Sequence, residues 1–372
     1  MATKDQQMWE RLQRMQQERD KMKPAKVEPE PSLEPRFDQS NEVTGEGNVS
    51  YADKFGESHS GRDYALPQYS DEDWPKWARE YIPEPISGYV FPKKQTEDVV
   101  VGLFKLPMRA QLLHGPKGSG KSSLTEQVCA VLRIPFFRVN MSQDAESGRI
   151  FGCVDVQDGS MGWVKGAAEM AATCETTDGR GHGAVLQVDE ADACPPGISI
   201  SMQWMLEKRG KIFLSDKPDN EAKYGPRQIV PGKDFRVILT SNTQLQGDTT
   251  GKYRGTMVQN EAFIDRISQS IFLGYMNEDH EVEVIRGNVP DVPKNIARQM
   301  VSIAKLIRSS YDEQDMQYTM SPRGLIEWAE QTMFWGDIGR GYVNTFYAKL
   351  IDEDRAPAKE HFYSVTGKHL EV

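Results

Sequence analysis

The sequence Gln-Leu-Leu-His-Gly-Pro-Lys-Gly-Ser-Gly-Lys-Ser-Ser-Leu-Thr at residues 111–125 decides the fold of this chain. An apolar run ends at Gly115, Gly120 and Lys121 follow at the spacing of a phosphate-binding loop, and a helical pattern begins at once. Glycines let backbone N–H groups turn towards an anion, and the N-terminus of the following helix adds its positive dipole end. Lys121 supplies a positive charge for the β- and γ-phosphates, and the Ser122 hydroxyl can bind Mg²⁺. The stretch therefore predicts a strand, a nucleotide-binding loop and a helix.

The loop itself supplies the residues expected to bind the nucleotide. These are Gly115, Pro116, Lys117, Gly118, Ser119, Gly120, Lys121, Ser122 and Ser123. ATP and Mg²⁺ are the expected ligands, because the glycines, the lysine and the hydroxyl together suit a triphosphate and its metal ion. A glycine-rich turn with an unrelated lysine is the alternative, and the strand before and the helix after the loop argue against it.

Two adjacent carboxylates, Asp189 and Glu190, end the buried strand predicted from residue 184 onwards. Parallel strands present their carboxyl ends to the phosphates, so Asp189 is expected to hold Mg²⁺ and Glu190 to polarise the attacking water. Two surface acids after a core strand are the alternative, and the upstream Lys121 in the same α/β pattern argues against it. The letters Asp-Glu-Ala-Asp at 189–192 also suggest a helicase, but no second motor domain with its own motifs follows them.

Two later residues are candidates for a catalytic role. Asn242 follows the apolar strand predicted at 235–240, where it could bind the attacking water or the γ-phosphate. Arg266 precedes the apolar run 271–273 and is a candidate arginine finger that reaches the nucleotide of a neighbouring subunit. A structural salt bridge between Arg266 and Asp265 is the alternative.

Two hairpins are predicted to interrupt the alternation of strands and helices. Residues 153–156 and 162–164 flank the turn signal at 157–160, and a helix is predicted at 166–174. This first hairpin is expected to lie on the surface, outside the nucleotide pocket. Residues 211–214 and 227–230 flank a polar loop and predict a second hairpin, and the helix before it, which begins at Pro195-Pro196, is expected to end at Gly210.

Helical patterns replace strand signals after residue 276. Ile296, Met300, Ile303, Ala304 and Ile307 form the clearest apolar stripe. A further helix is expected to begin with Ser321 as its cap, which would fix Arg323 near a helix start where it can meet a phosphate. These patterns predict a small all-α lid that responds to the nucleotide.

The chain is expected to divide into an N-terminal arm at 1–75, an α/β nucleotide-binding domain at 76–275 and a helical lid at 276–372. Residues 4–22 could form a short amphipathic helix that docks on a partner, or a solvated, fraying arm. Residues 22–71 are polar and rich in Pro, Glu, Ser and Gly, which predicts a linker or a disordered segment. Residues 72–86, which include Trp74 and Ile82, are expected to pack on the next domain.

Composition narrows the classes of partner. The chain has 372 residues and 55 acidic against 45 basic side chains, and its net charge of −10 argues against nucleic acid as a general partner. Its four cysteines contain no C-x-x-C pair, so neither a zinc site nor a disulfide framework is expected, and we expect a reduced, cytoplasmic protein. The sequence contains no run of about 18 apolar residues, so we expect no membrane span.

The order of these motifs resembles that of the AAA+ ATPases. The two hairpins are similar to those of the helix-2-insert group, which includes MoxR-type proteins and chelatase motors, and the sequence resembles the CobS family, the ATPase subunit of aerobic cobaltochelatase. The segments that carry the resemblance are 235–243, 247–251, 253–256, Asn260, Asp265-Arg266, 188–193, Leu206-Glu207 and 320–323. The implied fold is an AAA+ core with a parallel sheet and two hairpin inserts, followed by the lid and preceded by an extended or disordered arm.

The resemblance also implies an activity and partners. It implies that the chain hydrolyses ATP as a ring-shaped homo-hexamer with nucleotide at the subunit boundaries. It also implies that Arg266 is the arginine finger and Arg323 a second sensor. It further implies a partner protein with a metal-ion-dependent adhesion-type (VWA) domain.

Three functions agree with these observations. The first is an ATP-driven ring that remodels or activates a partner protein. The second uses the same motor for cobalt insertion as part of a cobaltochelatase complex. The third is an ATP-bound structural or assembly protein with little turnover.

Overall fold

The structure is a computed structural model that describes residues 47–157, 160–248, 253 and 255–371. The strands are β1 (Asn48–Ser50), β2 (Ala65–Pro67), β3 (Ala110–His114), β4 (Phe136–Asn140), β5 (Gly152–Gln157), β6 (Ser160–Lys165), β7 (Val185–Asp189), β8 (Ile212–Phe213), β9 (Gln228–Ile229), β10 (Arg236–Ser241) and β11 (Gln269–Phe272). The helices are α1 (Tyr51–Phe55), α2 (Lys76–Arg79), α3 (Lys93–Phe104), α4 (Lys121–Leu132), α5 (Gly148–Phe151), α6 (Ala167–Thr173), α7 (Pro196–Leu206), α8 (Glu221–Tyr224), α9 (Glu261–Ile264), α10 (Glu278–Asn288), α11 (Lys294–Asp312), α12 (Pro322–Trp335), α13 (Ile338–Thr345) and α14 (Asp352–Thr366).

A five-stranded parallel sheet in the order β11-β3-β10-β7-β4 organises the α/β part. Every residue of β7 is buried, as expected for a central strand of a sheet covered on both faces. The register pairs Ser241 with His114 and Asp189 with Asn140, so the ends of these strands lie at one edge of the sheet. The residues that follow β3, β7 and β10 therefore meet at that edge.

Two separate hydrophobic clusters form the core of the described chain. The first surrounds the sheet and includes Trp74 and Ile82, which confirms that the segment before α3 packs on this part. The second lies among the C-terminal helices α10–α14, with Trp328 and Tyr342 fully buried near its centre. The predicted combination of a parallel sheet with an all-α C-terminal part is confirmed.

Both predicted hairpins are present. In the first, β5 and β6 pair antiparallel from Gly152 with Lys165 to Gln157 with Ser160, and the turn residues 158–159 lie outside the described residues. In the second, β8 and β9 pair over two residues each, and the loop between them contains α8. Helix α6 follows the first hairpin as predicted.

Two sequence-based expectations are wrong. Residues 47–71, expected to belong to a linker, form the antiparallel pair β1–β2 and helix α1, because Tyr51, Tyr64 and Leu66 are buried there. The remainder of that linker, and the helix considered at 4–22, lie outside the described residues. Helix α7 ends at Leu206 rather than at Gly210, since Glu207 is already extended.

The four cysteines all lie in the described part of the chain and are free thiols, three of them buried. Among the described helices, none combines the length and the apolar character that crossing a lipid bilayer requires.

Candidate nucleotide-binding site

The loop between β3 and α4 has the close packing that its glycines allow. Gly115 has φ of +149°, and a Cβ atom at this position would lie 2.1 Å from the carbonyl oxygen of Leu273. The hydroxyl of Ser119 is buried and has no hydrogen-bond partner among the described residues. At Gly115 the neighbouring backbone lies too close for any side chain, and the buried Ser119 hydroxyl has an unused hydrogen-bonding group. Both features are expected of a loop that binds a ligand.

Lys121 begins α4 and points back across the loop. Its Nζ donates to the carbonyl oxygens of Gly115 and Pro116 and to Oδ1 of Asn242, each at 2.9 Å. Burial lowers the pKa of Lys121 to about 8, and the nearby carboxylates of Asp192, Asp189 and Glu190 oppose this shift only in part. The lysine is thus held by neutral oxygen atoms, which a bound phosphate can replace with charged ones.

The affinity for Mg·ATP should therefore fall above pH 8. Because the free protein loses the Lys121 proton near pH 8 and a triphosphate binds the charged form, affinity is expected to be about tenfold weaker at pH 9 than at its plateau. Fluorescence titration with mant-ATP between pH 7 and 9 measures this. A constant affinity over that range would contradict the contact between Lys121 and the triphosphate. The control variant Lys121→Arg stays charged, so it should bind more weakly but without the pH dependence.

Asp189 ends β7 with its carboxylate buried. Oδ1 accepts hydrogen bonds from the hydroxyls of Ser122 and Thr240, both at 2.8 Å, and from Nε2 of Gln187 at 2.9 Å. Arg138 on the edge strand β4 forms an ion pair with Oδ2. Three of these contacts come from β7, β10 and α4, so the carboxylate is oriented by the elements that surround it.

The donor set suits Mg²⁺. The carboxylate of Asp189 and the hydroxyl of Ser122 lie within hydrogen-bond distance of one another, and hard oxygen donors of this kind are what Mg²⁺ takes from a protein when phosphates supply its other ligands. The two residues predicted from the sequence to bind the metal are therefore adjacent.

Asn242 is fixed in place by Asp192, a residue that the sequence analysis did not assign. Oδ2 of Asp192 accepts from the hydroxyl of Ser241 at 3.0 Å, from the backbone N–H groups of Asn242 and Thr243 at 2.8 and 3.2 Å, and from the Thr243 hydroxyl at 3.1 Å. Asp192 is 1% exposed. The sequence signals for Asp192 were the Asp-Glu-Ala-Asp letters and its place in the segment 188–193, and its role becomes clear once β10 is known to lie beside β7.

Glu190 directly follows Asp189 but differs from it in environment. It has the left-handed conformation with φ of +54°, its backbone N–H donates to Oγ1 of Thr240 at 3.1 Å, and its side chain is exposed. No hydrogen bond or ion pair joins its carboxylate to the residues that the structure describes. The turn thus separates a buried carboxylate from an accessible one.

The two candidate arginines lie in different places. Arg266 forms an ion pair with Glu207, with 2.7 Å between Nε and Oε1, so the alternative partner Asp265 is wrong. Arg323 is exposed in the first turn of α12, whose cap Ser321 accepts from Gly324 N–H at 3.3 Å. A Cβ on Gly118 would lie 2.4 Å from Cβ of Ser321, so this helix start touches the loop. No contact among the described residues joins Arg266 to the loop.

The comparisons with known proteins agree with this geometry. The family AAA domain (dynein-related subfamily) matches residues 110–267, and the family CbbQ/NirQ/NorQ C-terminal matches residues 281–333. The aerobic cobaltochelatase subunit CobS of a Sinorhizobium species is 31% identical over 319 residues, which cover 83% of this chain and 88% of that protein. The chain belongs to the CobS family of AAA+ ATPases.

Other relatives are more distant. An uncharacterized protein of Staphylococcus epidermidis is 25% identical over 248 residues, covering 65% of this CobS-type chain and 84% of that protein. Among solved structures, a RuvB mutant of Thermotoga maritima is 14% identical, with a TM-score of 0.43 and coverage of 76% of this chain and 73% of that one. The predicted membership of the MoxR and CobS group is confirmed by the CobS match and the two domain matches.

Proposed function

We propose that this chain hydrolyses ATP in a ring of identical subunits and uses the energy to remodel or activate a partner protein. The observation that carries the proposal is the meeting of Lys121, Ser122, Asp189 and Asn242 at one edge of the parallel sheet. Family membership supports it, because AAA+ ATPases share this arrangement around their nucleotide.

Each residue of the site receives a role in this proposal. The loop from Gly115 to Ser123 holds the triphosphate, and Lys121 exchanges its carbonyl partners for phosphate oxygens. Ser122 and Asp189 would hold Mg²⁺, which neutralises charge on the phosphates when bound. Glu190 accepts a proton from the attacking water, and Asn242, fixed by Asp192, orients that water or the γ-phosphate.

The arginines are proposed to act on charge that develops in the reaction. Arg323 lies at the helix start that touches the loop and serves as a second sensor. Arg266 serves as an arginine finger for the neighbouring subunit. This role is supported by its ion pair with Glu207, which holds it away from the nucleotide-binding loop of its own chain. A homo-hexamer is the assembly we propose for such shared sites.

The hairpins are proposed to contact the partner. Val156 and Met161 of the first hairpin are 66% and 61% exposed, and Phe213 and Val230 of the second are 55% and 71% exposed. Apolar side chains exposed on two hairpins support a role in binding another protein. A partner with a metal-ion-dependent adhesion-type (VWA) domain is the kind we propose.

A second candidate function follows from the name of the CobS relative. We propose as this alternative that the chain is the ATPase subunit of a cobaltochelatase complex. An assay of cobalt insertion with the other cobaltochelatase subunits tests it, and failure of the chain to replace the CobS subunit there would exclude it.

We propose the following division of the chain and the following compartment. We place the boundary between the nucleotide-binding domain (76–275) and the lid (276–372) between the two hydrophobic clusters. The N-terminal arm expected at 1–75 is shortened at its C-terminal end, because Trp74 belongs to the first cluster. The four free thiols support a reducing compartment, and we propose the cytoplasm.

Mixing two inactive variants tests the shared site. Lys121→Ala and Arg266→Ala should each lose ATP turnover, but a one-to-one mixture should regain activity at about a quarter of the sites, because an intact loop then meets an intact arginine from its neighbour. Phosphate release measures the result. Separately tagged variants that purify together establish that mixed rings have formed, and mixed rings without regained turnover would contradict a finger supplied by the neighbour.

A further inference from the structure

Tyr275 joins the nucleotide-binding loop to the C-terminal helices. It follows β11, and its hydroxyl donates to the backbone carbonyl oxygen of Lys117 at 3.1 Å. The ring of Tyr275 lies under the guanidinium of Arg308, with 3.9 Å between Cζ and the ring centroid. One side chain therefore contacts the loop with its hydroxyl and the helix α11 with its ring.

Arg308 connects three elements of the helical part. Its Nη1 donates to both carboxylate oxygens of Glu281 on α10, at 2.9 and 2.8 Å, and its Nε donates to the carbonyl oxygen of Met320 at 2.8 Å. The side chains of Arg308 and Glu281 are 10% and 3% exposed. We call Tyr275, Glu281 and Arg308 the lid anchor.

The lid anchor also contacts the residue just before the cap of helix α12, whose start touches the nucleotide-binding loop. Met320, held by Arg308, is followed by Ser321, and Ser321 is the residue that a Cβ on Gly118 would meet. The loop is thus contacted at two successive residues, Lys117 through Tyr275 and Gly118 through Ser321. Both contacts lead to Arg308.

A buried ion pair of this kind is informative because it is costly. Removing two charges from water is unfavourable, and apolar side chains of similar size could fill the same space. The pair therefore adds little stability beyond that of an apolar core. What it does provide is fixed geometry, because the planar guanidinium bonds its carboxylate and its carbonyl in one orientation.

We infer that the lid anchor sets the position of Arg323 over the bound nucleotide, so that Tyr275 and Arg308 are positioning residues for the second sensor. The inference rests on the proposed function, because it gives Arg323 a phosphate to meet. Arg323 follows Met320 by three residues, so a shift of the Met320 carbonyl moves the first turn of α12 and this arginine with it. Neither Tyr275 nor Arg308 is required to touch the nucleotide.

Tyr275→Phe tests this inference with little disturbance, because it removes one hydroxyl and keeps the ring under Arg308. We expect the dissociation constant for mant-ATP with Mg²⁺ to rise about three- to tenfold, which is the effect of one hydrogen bond. Tyr363→Phe makes the same chemical change at a half-exposed ring of α14 and should leave the constant unchanged. Thermal unfolding of each variant checks that the fold is intact.

The same change in an Arg323→Ala background separates positioning from general structure. If Tyr275 acts through Arg323, Tyr275→Phe should change the dissociation constant by less than about twofold once Arg323 is absent. An equal effect in both backgrounds would overturn the inference, as would an unchanged constant after Tyr275→Phe alone. Arg308→Lys keeps the positive charge but loses the Nε donor that bonds the Met320 carbonyl oxygen. It should raise the dissociation constant in the same way as Tyr275→Phe.

Failure of the proposed function gives a different result. If the wild-type protein binds no mant-ATP, or binds it equally well after Lys121→Ala, the nucleotide site itself is wrong. If binding depends on Lys121 and is indifferent to Tyr275, the site stands and only the role of the lid anchor is wrong.

Discussion

Glu190→Gln is expected to lower ATP turnover at least about a hundredfold while leaving the binding of Mg·ATP intact. The amide has nearly the shape of the carboxylate but cannot accept a proton from water. The backbone bond from Glu190 N–H to Thr240 does not involve the side chain, so the left-handed turn that separates Glu190 from Asp189 remains. Phosphate release and mant-ATP titration measure the two properties separately.

Glu283→Gln provides the matched control for this experiment. Glu283 is an exposed carboxylate on α10, and its loss should change neither turnover nor binding. Normal turnover by the Glu190 variant would show that another group polarises the water. A wild-type protein that binds ATP without turning it over would instead favour the structural or assembly function.

Lys217→Met is expected to lower the free energy of unfolding by about 3–5 kcal/mol. Nζ of Lys217 lies 2.8 Å from Oε1 of Glu169, and these side chains are 1% and 3% exposed. The other oxygen of Glu169 accepts from Nε1 of Trp163 at 2.7 Å. Without the lysine, the buried carboxylate of Glu169 keeps a neutral partner only, and its charge is uncompensated.

The expected loss would be measured by urea denaturation. Lys223→Met, in the same loop but exposed, should stay within about 0.5 kcal/mol of the wild type. The double variant Lys217→Met with Glu169→Gln should recover much of the loss, because no charge then remains buried. Similar losses for the single and double variants would mean that packing, and not charge, is responsible.

This ion pair also joins the two hairpins. Trp163 belongs to the first hairpin, Glu169 to helix α6, and Lys217 to the loop of the second hairpin. The hydroxyl of Tyr224 in that loop further donates to the carbonyl oxygen of Met161 at 3.1 Å. The two surfaces proposed to bind a partner are therefore attached to one another.

Much of the candidate site could be predicted because its signals are local. The loop with Lys121 and Ser122 lies in one stretch, and Asp189, Glu190 and Asn242 each lie at the end of a predicted strand. In a parallel sheet such positions meet at one edge whatever the lengths of the connections. Asp192 was missed because its role depends on which strand lies beside it.

The sequence alone was sufficient for the strand-loop-helix unit, the acidic pair, the two hairpins and the change from sheet to helices, since each depends on spacing within about 20 residues. Order in residues 47–71 was decided by the tertiary structure, because Tyr51, Tyr64 and Leu66 are buried without following any period, and the Tyr64 hydroxyl donates to Glu97 of the distant helix α3. The partners of Arg266, Lys217 and Tyr275 were decided in the same way. A charged or phenolic side chain bonds to the groups that the fold brings near it, and spacing along the sequence does not predict which groups these are.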